Sequence, residues 1–244
     1  MSRWILLMLV PHFGYCACGI SEDATYVLGI EQLNYFPHYS SQHGVVTGFA
    51  KEFFDEFAKA SNIKLTIKPL PVKRLYQNLG AGQIDLKYPS NPNWKSQFTA
   101  GQQLYFSKPI VSTQDVSFVR NEWDDENLSH LGTIVGFTIP IGYQAKIKTH
   151  ELHLTEVNRI SSLINMLLIG RLDAIYINRE VGLFYIQEHL RKSPQPTIDY
   201  QLPNVALDFH VSSISQPDLI TCLDHFLKKS ETRILQIKTK YNVH

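Results

Sequence analysis

Residues Gly48 to Asp85 read GFAKEFFDEFAKASNIKLTIKPLPVKRLYQNLGAGQID. Phe49, Phe53 and Phe57, with Phe54 and Ala58 beside them, recur at helical spacing and form one apolar stripe. Lys51, Glu52, Asp55, Glu56 and Lys59 fill the opposite face. Leu65 and Ile67 then alternate with Lys64, Thr66 and Lys68, the period of a strand with one buried face. Pro69 and Pro71 punctuate, since neither donates to a ladder. Val72, Leu75 and Leu79 make a second helical stripe that Gly80 and Gly82 stop, and Ile84 and Leu86 re-enter a strand. Strands alternating with helices imply a parallel sheet with right-handed crossovers. Such sheets bind ligands beyond the carboxyl ends of their strands.

The closing phrase returns later. Gly82-Gln83-Ile84-Asp85-Leu86 is echoed by Gly170-Arg171-Leu172-Asp173-Ala174, again after an apolar helical stripe, here Ile160, Leu163, Ile164 and Leu167. Helix–glycine–strand is common in any α/β chain, so the echo is either coincidence or the sign of two α/β lobes of similar plan with a cleft between them.

Composition narrows the classes. The chain has 244 residues, 44% apolar and 18% charged, enough core for one large domain or two small lobes. A formal charge of +1 argues against nucleic-acid binding, which brings a strong basic excess. No apolar run approaches the roughly 20 residues of a membrane span. At the start, Arg3 precedes the run Trp4 to Val10, and small residues follow at Ala17 and Gly19. That is the layout of a secretory signal peptide, predicted over residues 1–19, although a buried first strand would also read this way. Cys18 could carry a lipid, but Tyr15 sits where a lipoprotein signal wants a small aliphatic residue. Cys222 lies in an amphipathic pattern and reads as a small buried apolar residue outside any disulfide framework.

Along the rest of the chain, Tyr26 to Ile30 reads as a strand. It leads into a loop with a ring cluster: Tyr35, Phe36, Pro37, His38, Tyr39. Those rings either pack on the neighbouring helix or form a stacking wall for a ligand. Residues Lys87 to Ser96 (KYPSNPNWKS) follow the end of a strand, dense in hydrogen-bonding side chains and stiffened by Pro89 and Pro92. Asp115 to Val119 reads as a strand crossing to the second lobe, Trp123 to Asn127 as an acidic turn, and Thr133 to Phe137 as a strand. The turn Thr138 to Tyr143 follows, and its backbone N–H groups suit an anionic group. Ala174 to Ile177 is a strand ending at Asn178-Arg179, and Val205 to Val211 a return strand. Ser215-Gln216-Pro217-Asp218 opens a helix as a capping box, and Ile234, Ile237 and Tyr241 mark the last helix.

Taken in order, these segments resemble the family-3 extracellular solute-binding proteins, the periplasmic receptors typified by polar amino-acid transport. The likeness rests on Tyr35-Phe36-Pro37, Gly48-Phe49 with Glu52, Gly82-Gln83-Ile84-Asp85, Phe106-Ser107-Lys108-Pro109, Val135-Gly136, Gly170 to Ala174, and Ile237 with Lys240-Tyr241. The resemblance implies an α/β chain of the type II periplasmic-binding-protein fold. Lobe one would hold residues 20–114 and 206–244, lobe two 115–205, with two hinge strands and a cleft between them. It also implies a periplasmic monomer without cofactor or metal, partnered by an inner-membrane permease or by a membrane sensor. Two departures stand out. Amino-acid receptors of this family place an Arg after the Ile-Asp strand, yet residues 91–97 hold only Lys95, a point charge in place of a planar fork. They also place an Asp after the second-lobe strand, where this chain has Asn178. The expected ligand is therefore a small polar or anionic organic molecule in place of an ordinary α-amino acid.

The expected binding set is Tyr35, Phe36, Tyr39, Arg74, Tyr88, Ser90, Asn91, Trp94 and Lys95 from lobe one, with Thr138, Gly142, Tyr143 and Asn178 from lobe two. Other chemistry fits poorly. His150-Glu151-Leu152-His153 is one residue too short to put both rings on one helical face as zinc ligands. Gly80-Ala81-Gly82 follows a helix and precedes a strand, the reverse of a dinucleotide loop. Dehydratases share the lobe plan, and an enzyme here would draw its acid or base from Glu52, Asp85 or Asp173, which instead occupy helix-start and strand-start positions.

Overall fold

The computed structural model describes Ile20 and residues 24–94, 96–121, 123, 128–189 and 195–244. The expected signal peptide, Lys95 and most of the acidic turn lie outside these residues.

The first wing is one β-α-β-α-β unit: β1 (Thr25–Glu31), α1 (Phe49–Ala60), β2 (Lys64–Leu70), α2 (Val72–Gly80) and β3 (Leu86–Ser90). A long strand, β4 (Val111–Val119), leads to a second unit of the same plan. It comprises β5 (His130–Ile134), α3 (Ile141–Lys148), β6 (His153–Val157), α4 (Ile160–Leu168) and β7 (Ala174–Asn178). Helix α5 (Arg179–His189), strand β8 (Val205–Ser213) and helices α6 (Pro217–Lys229) and α7 (Glu231–Tyr241) complete the chain.

The strands run in the order β2-β1-β3-β8-β4-β7-β5-β6. Within each wing the first strand of the unit is central and parallel to its neighbours. In the middle, β8 and β4 pair antiparallel from Val205 opposite Asp115 to Phe209 opposite Val111, after which β8 moves on to β3, with His210 opposite Ser90. Two strands thus pass between the wings, the hinge arrangement of a two-lobed type II binding-protein fold.

Local chemistry explains the repeat. Gly82 and Gly170 sit at φ of +67° and +73°, the left-handed region glycine enters without strain. The aspartates three residues on then tie neighbouring strands together, each within its own wing. Asp85 accepts from the Val27 N–H at 2.8 Å, and Asp173 from the Ser129 and His130 N–H groups at 3.0 and 2.8 Å. The phenylalanine stripe of α1 is fully buried, with Phe53 and Phe57 lying 5.7 and 5.5 Å from the Phe226 ring of α6. Each such ring stabilises by about 1.5–3 kcal/mol through burial alone.

Several expectations change. The strand expected over 133–137 ends at Ile134, because Gly136 turns the chain at φ +84°. Helix α6 is capped at Gln216, whose N–H donates to Ser213 Oγ at 3.0 Å, so Ser215 is not the cap. Strand β6 and helix α5 were not anticipated; β6 is half-exposed, which blurs its alternation. His150 occupies a turn at φ +61° and His153 a strand, where its ring stacks on His130 at 5.5 Å. Cys222 is disulfide-bonded and not the unbridged apolar residue expected; Cys16 and Cys18 lie outside the described residues.

Candidate ligand cleft

The carboxyl ends of β1 and β3 face the turn after β5 across the hinge, and a cavity lies between them. Glu31 ends β1, Tyr35 and Tyr39 come from the loop after it, and Val72 and Tyr76 from the first turns of α2. Pro89 and Trp94 follow β3, Asp115 and Phe209 belong to the hinge strands, and Gly136, Phe137 and Thr138 close the far side. Water-sized centres have about 30 Å³ to occupy, two or three times the roughly 10–15 Å³ that one water needs.

The tightness comes from contact between the lobes. Phe137 meets Tyr35 edge-on at 5.6 Å, and Tyr185 Oη donates to the Asn34 carbonyl at 2.9 Å. A Cβ at Gly136 would lie 3.2 Å from Val72. These contacts bring the two wings together over the cavity.

Charge inside the cleft is concentrated and poorly hydrated. Glu31 is 4% exposed and accepts a hydrogen bond from the Tyr39 hydroxyl. Burial raises its pKa, opposed by nearby Lys87 and by that hydroxyl. Lys87 is fully buried; its Nζ donates to the Pro89 carbonyl at 2.5 Å and lies 4.4 Å and 5.5 Å from the ring centres of Tyr76 and Trp94. Burial brings the ammonium down to about 8, with Glu31 resisting. Asp115 is pushed up to about 7, by burial first and then by Glu180 and Glu31, against a hydrogen bond from Asn178. Its Oδ1 is buried and has no hydrogen-bond partner among the described residues. An unmet buried acceptor costs about 1–3 kcal/mol, which a donor brought by a guest would recover.

The expected residues divide. Tyr35, Tyr39, Trp94 and Thr138 meet at the cavity. Phe36 instead packs on Phe184 at 4.6 Å and Tyr241 at 6.0 Å, next to the clasp described below. Arg74 is exposed on α2. Tyr88 points away because neighbours alternate along β3: Pro89 lines the cleft and Lys87 lies on the same side behind Tyr76 and Trp94, while the Tyr88 ring packs on Phe54 at 5.1 Å. Ser90 is buried, and Asn91 braces its own loop, donating to the Asp208 carbonyl at 2.9 Å and accepting from the Asn93 N–H at 2.8 Å. Gly142 is exposed, with Pro203 beside it. The Tyr143 hydroxyl pairs with Ser117 Oγ at 2.6 Å inside the second lobe.

Asn178 belongs to a clasp behind the cleft. Its Oδ1 lies 3.0 Å from His38 Nε2, and its Nδ2 donates to Thr113 Oγ1 at 2.8 Å. Thr113 in turn donates to Glu180 at 2.5 Å. Burial would raise Glu180, but hydrogen bonds from His38 and Thr113 bring it down to about 2. Glu31, Tyr76, Asp115, Phe137 and Phe209 line the cleft without having been singled out. Glu31 was open to detection, since it ends a parallel strand. Asp115 and Phe209 were not, because they meet only through the β4–β8 pairing.

The carboxylates weighed as catalysts work elsewhere. Glu52 is bound by Arg233 and Lys240 on the surface, while Asp85 and Asp173 cap strands. Among the described residues no three His, Cys, Asp or Glu side chains cluster to hold a metal, and no helix is long and apolar enough to cross a membrane.

Fold and cleft together define a solute receptor. The chain belongs to the bacterial extracellular solute-binding proteins, family 3, whose sequence model matches residues 27–243. No individually curated protein matches it. Among solved structures it is similar to the periplasmic binding protein of an arginine transport system from Legionella pneumophila, at TM-score 0.72 and 13% identity over 89% of this chain and 99% of that one. It is also similar to a binding component of an ABC transporter from Wolinella succinogenes complexed with lysine, at TM-score 0.72 and 16% identity over 89% and 95%. A third is an ancestral amino-acid-binding protein, a precursor of cyclohexadienyl dehydratase, at TM-score 0.69 and 15% identity over 89% and 95%.

Proposed function

We propose that this protein is a periplasmic receptor that closes on a small polar organic molecule bearing one positively charged nitrogen, and delivers it to an ABC-type importer. Lobe one would comprise residues 20–114 and 206–244, and lobe two residues 115–205. The unpartnered Asp115 oxygen, in a cleft walled by rings and shared with Glu31, carries this reading. A cation against aromatic faces gains about 0.5–2 kcal/mol, and a hydrogen bond to a carboxylate adds to it. The sequence pointed to an anion through Arg74, Lys87 and Lys95. Arg74 is exposed, and Lys87 is already engaged with a carbonyl and two rings, so a cationic head replaces the anionic one. Proteins of similar fold, one from an arginine transport system and one complexed with lysine, support a nitrogen cation.

Closure follows if the guest binds both lobes better when they are shut. A thermal-shift screen comparing small amines with carboxylates of matched size tests the charge. Amines should raise the melting temperature, because a ligand at about 100 times its dissociation constant adds roughly 2.7 kcal/mol. Shifts from carboxylates alone would overturn the assignment. Recovery of the ligand chemically altered would favour the dehydratase-like reading, with Asp115, near neutrality, as the acid or base.

A further inference from the structure

Resting on that reading of the cleft, we infer that Lys87 is a tethered cation that occupies the β1–β3 half of the site and limits the receptor to guests carrying a single positive charge. Its ammonium stands over Tyr76 at 4.4 Å and Trp94 at 5.5 Å, and both rings line the cavity. Glu31, on the neighbouring strand and also in the lining, supplies the opposing charge. Two rings and a carboxylate around an ammonium are the elements that would recognise an amine from solution. Here the amine arrives on the protein's own chain, from a strand position whose neighbours Leu86 and Tyr88 are buried core residues.

The arrangement is hard to explain as stabilisation. Lys87 is entirely buried, yet its direct hydrogen bond goes to a neutral carbonyl. A methionine would fill the same volume without desolvating a charge. What the ammonium adds is occupancy: its charge acts on Glu31 and leaves Asp115 as the carboxylate in the lining with an unmet oxygen. A guest with one ammonium can serve Asp115. A diamine would have to bring its second charge against Lys87, and like charges that close in a poorly hydrated cleft repel strongly.

Removing the side chain should leave a vacancy shaped for an alkylammonium. Wild type and Lys87→Ala are melted with n-butylammonium or with n-butanol at matched concentrations. Butylammonium should raise the melting temperature of Lys87→Ala by several degrees more than that of wild type, and butanol should shift Lys87→Ala by much less. If the variant does not fold alone, the yield of folded protein on refolding with each additive gives the same comparison. Equal effects of alcohol and ammonium, or none from either, would overturn the cation box.

Calorimetric titration with butanediamine tests the restriction itself. Lys87→Ala should bind it at least about tenfold more tightly than wild type does, the scale of one cation–aromatic contact. A variant rescued by butylammonium but indifferent to the diamine would overturn the restriction. Should wild type bind no amine while the rescue succeeds, the ligand assignment fails and the Lys87 box stands. Should wild type bind amines without any rescue, the box fails and the ligand assignment stands.

Discussion

The two wings share a plan and differ in what they bring to the cleft. Each is a β-α-β-α-β unit with its first strand central, and each ends its second helix at a left-handed glycine followed by a strand-capping aspartate. The first wing lends the cleft Glu31, Tyr35, Tyr39, Tyr76 and Trp94, with Lys87 behind them. The second lends Gly136, Phe137 and Thr138 from a single turn. The charged groups in the lining come from the first wing and the hinge. Equal scaffolds therefore serve as an unequal pair, a chemically rich seat and a plain lid.

The largest expected effect tests whether the charge of the seat costs stability. Asp115 rises from its ordinary 3.8 to about 7 on folding. The folded state then holds its proton where the unfolded chain has released it, so stability falls as pH rises between those values. Each unit is worth about 1.4 kcal/mol, giving a few kcal/mol at most. Asp115→Asn should flatten this loss in urea unfolding series from acid to neutral pH, and should weaken amine binding. An unchanged pH profile would mean that Asp115 is ionised without penalty.

A second comparison concerns the echoed aspartates. Asp173 takes hydrogen bonds from two backbone N–H groups and the Ser129 hydroxyl, whereas Asp85 takes one backbone N–H at 2.8 Å and a longer side-chain bond from Gln216 at 3.3 Å. Ala substitutions should each cost about 1–3 kcal/mol, with Asp173→Ala the larger. Although partial burial works to raise Asp173, its hydrogen bonds from His130 and Ser129 lower it on balance. Its contribution is thus complete above the ordinary carboxylate range and is lost as pH falls through the lowered value. Denaturant midpoints down to acid pH should show that loss in wild type and not in Asp173→Asn.

The smallest effects probe the lid. Gly136 sits at φ +84° with Val72 close by, while Gly142 has no such backbone constraint and its nearest neighbour, Pro203, would be 3.5 Å from a new Cβ. Gly136→Ala should cost roughly 1 kcal/mol in backbone strain and bias the lobes open, read as a larger radius of gyration by small-angle scattering. Gly142→Ala, within α3, should carry no such cost and should leave the radius of gyration unchanged. Equal behaviour of the two would remove Gly136 from the closing contact.

The repeated secondary structure was legible because periodicity and glycine placement are local. The phenylalanine stripe of α1, the alternation in β2 and the two Gly-x-x-Asp phrases all act within a few residues of themselves. Their order was enough to indicate two α/β lobes and the family. The cleft was legible only where a strand ended: Tyr35, Tyr39, Trp94 and Thr138 lie where a parallel sheet exposes its carboxyl edge. Tyr88 lies off the cavity by one residue of strand alternation, and Asn178 is engaged by a clasp with His38, 140 positions away. Asp115 and Phe209 reach the cavity because two distant strands pair at the hinge, and Lys87 becomes a buried cation only once Tyr76, Trp94 and Glu31 converge on it. Sequence alone determined the elements, since hydrogen bonding and apolar spacing operate over a turn or a strand. Tertiary structure decided the charge of the site, since burial and the company of a charge are set by residues far apart in the chain.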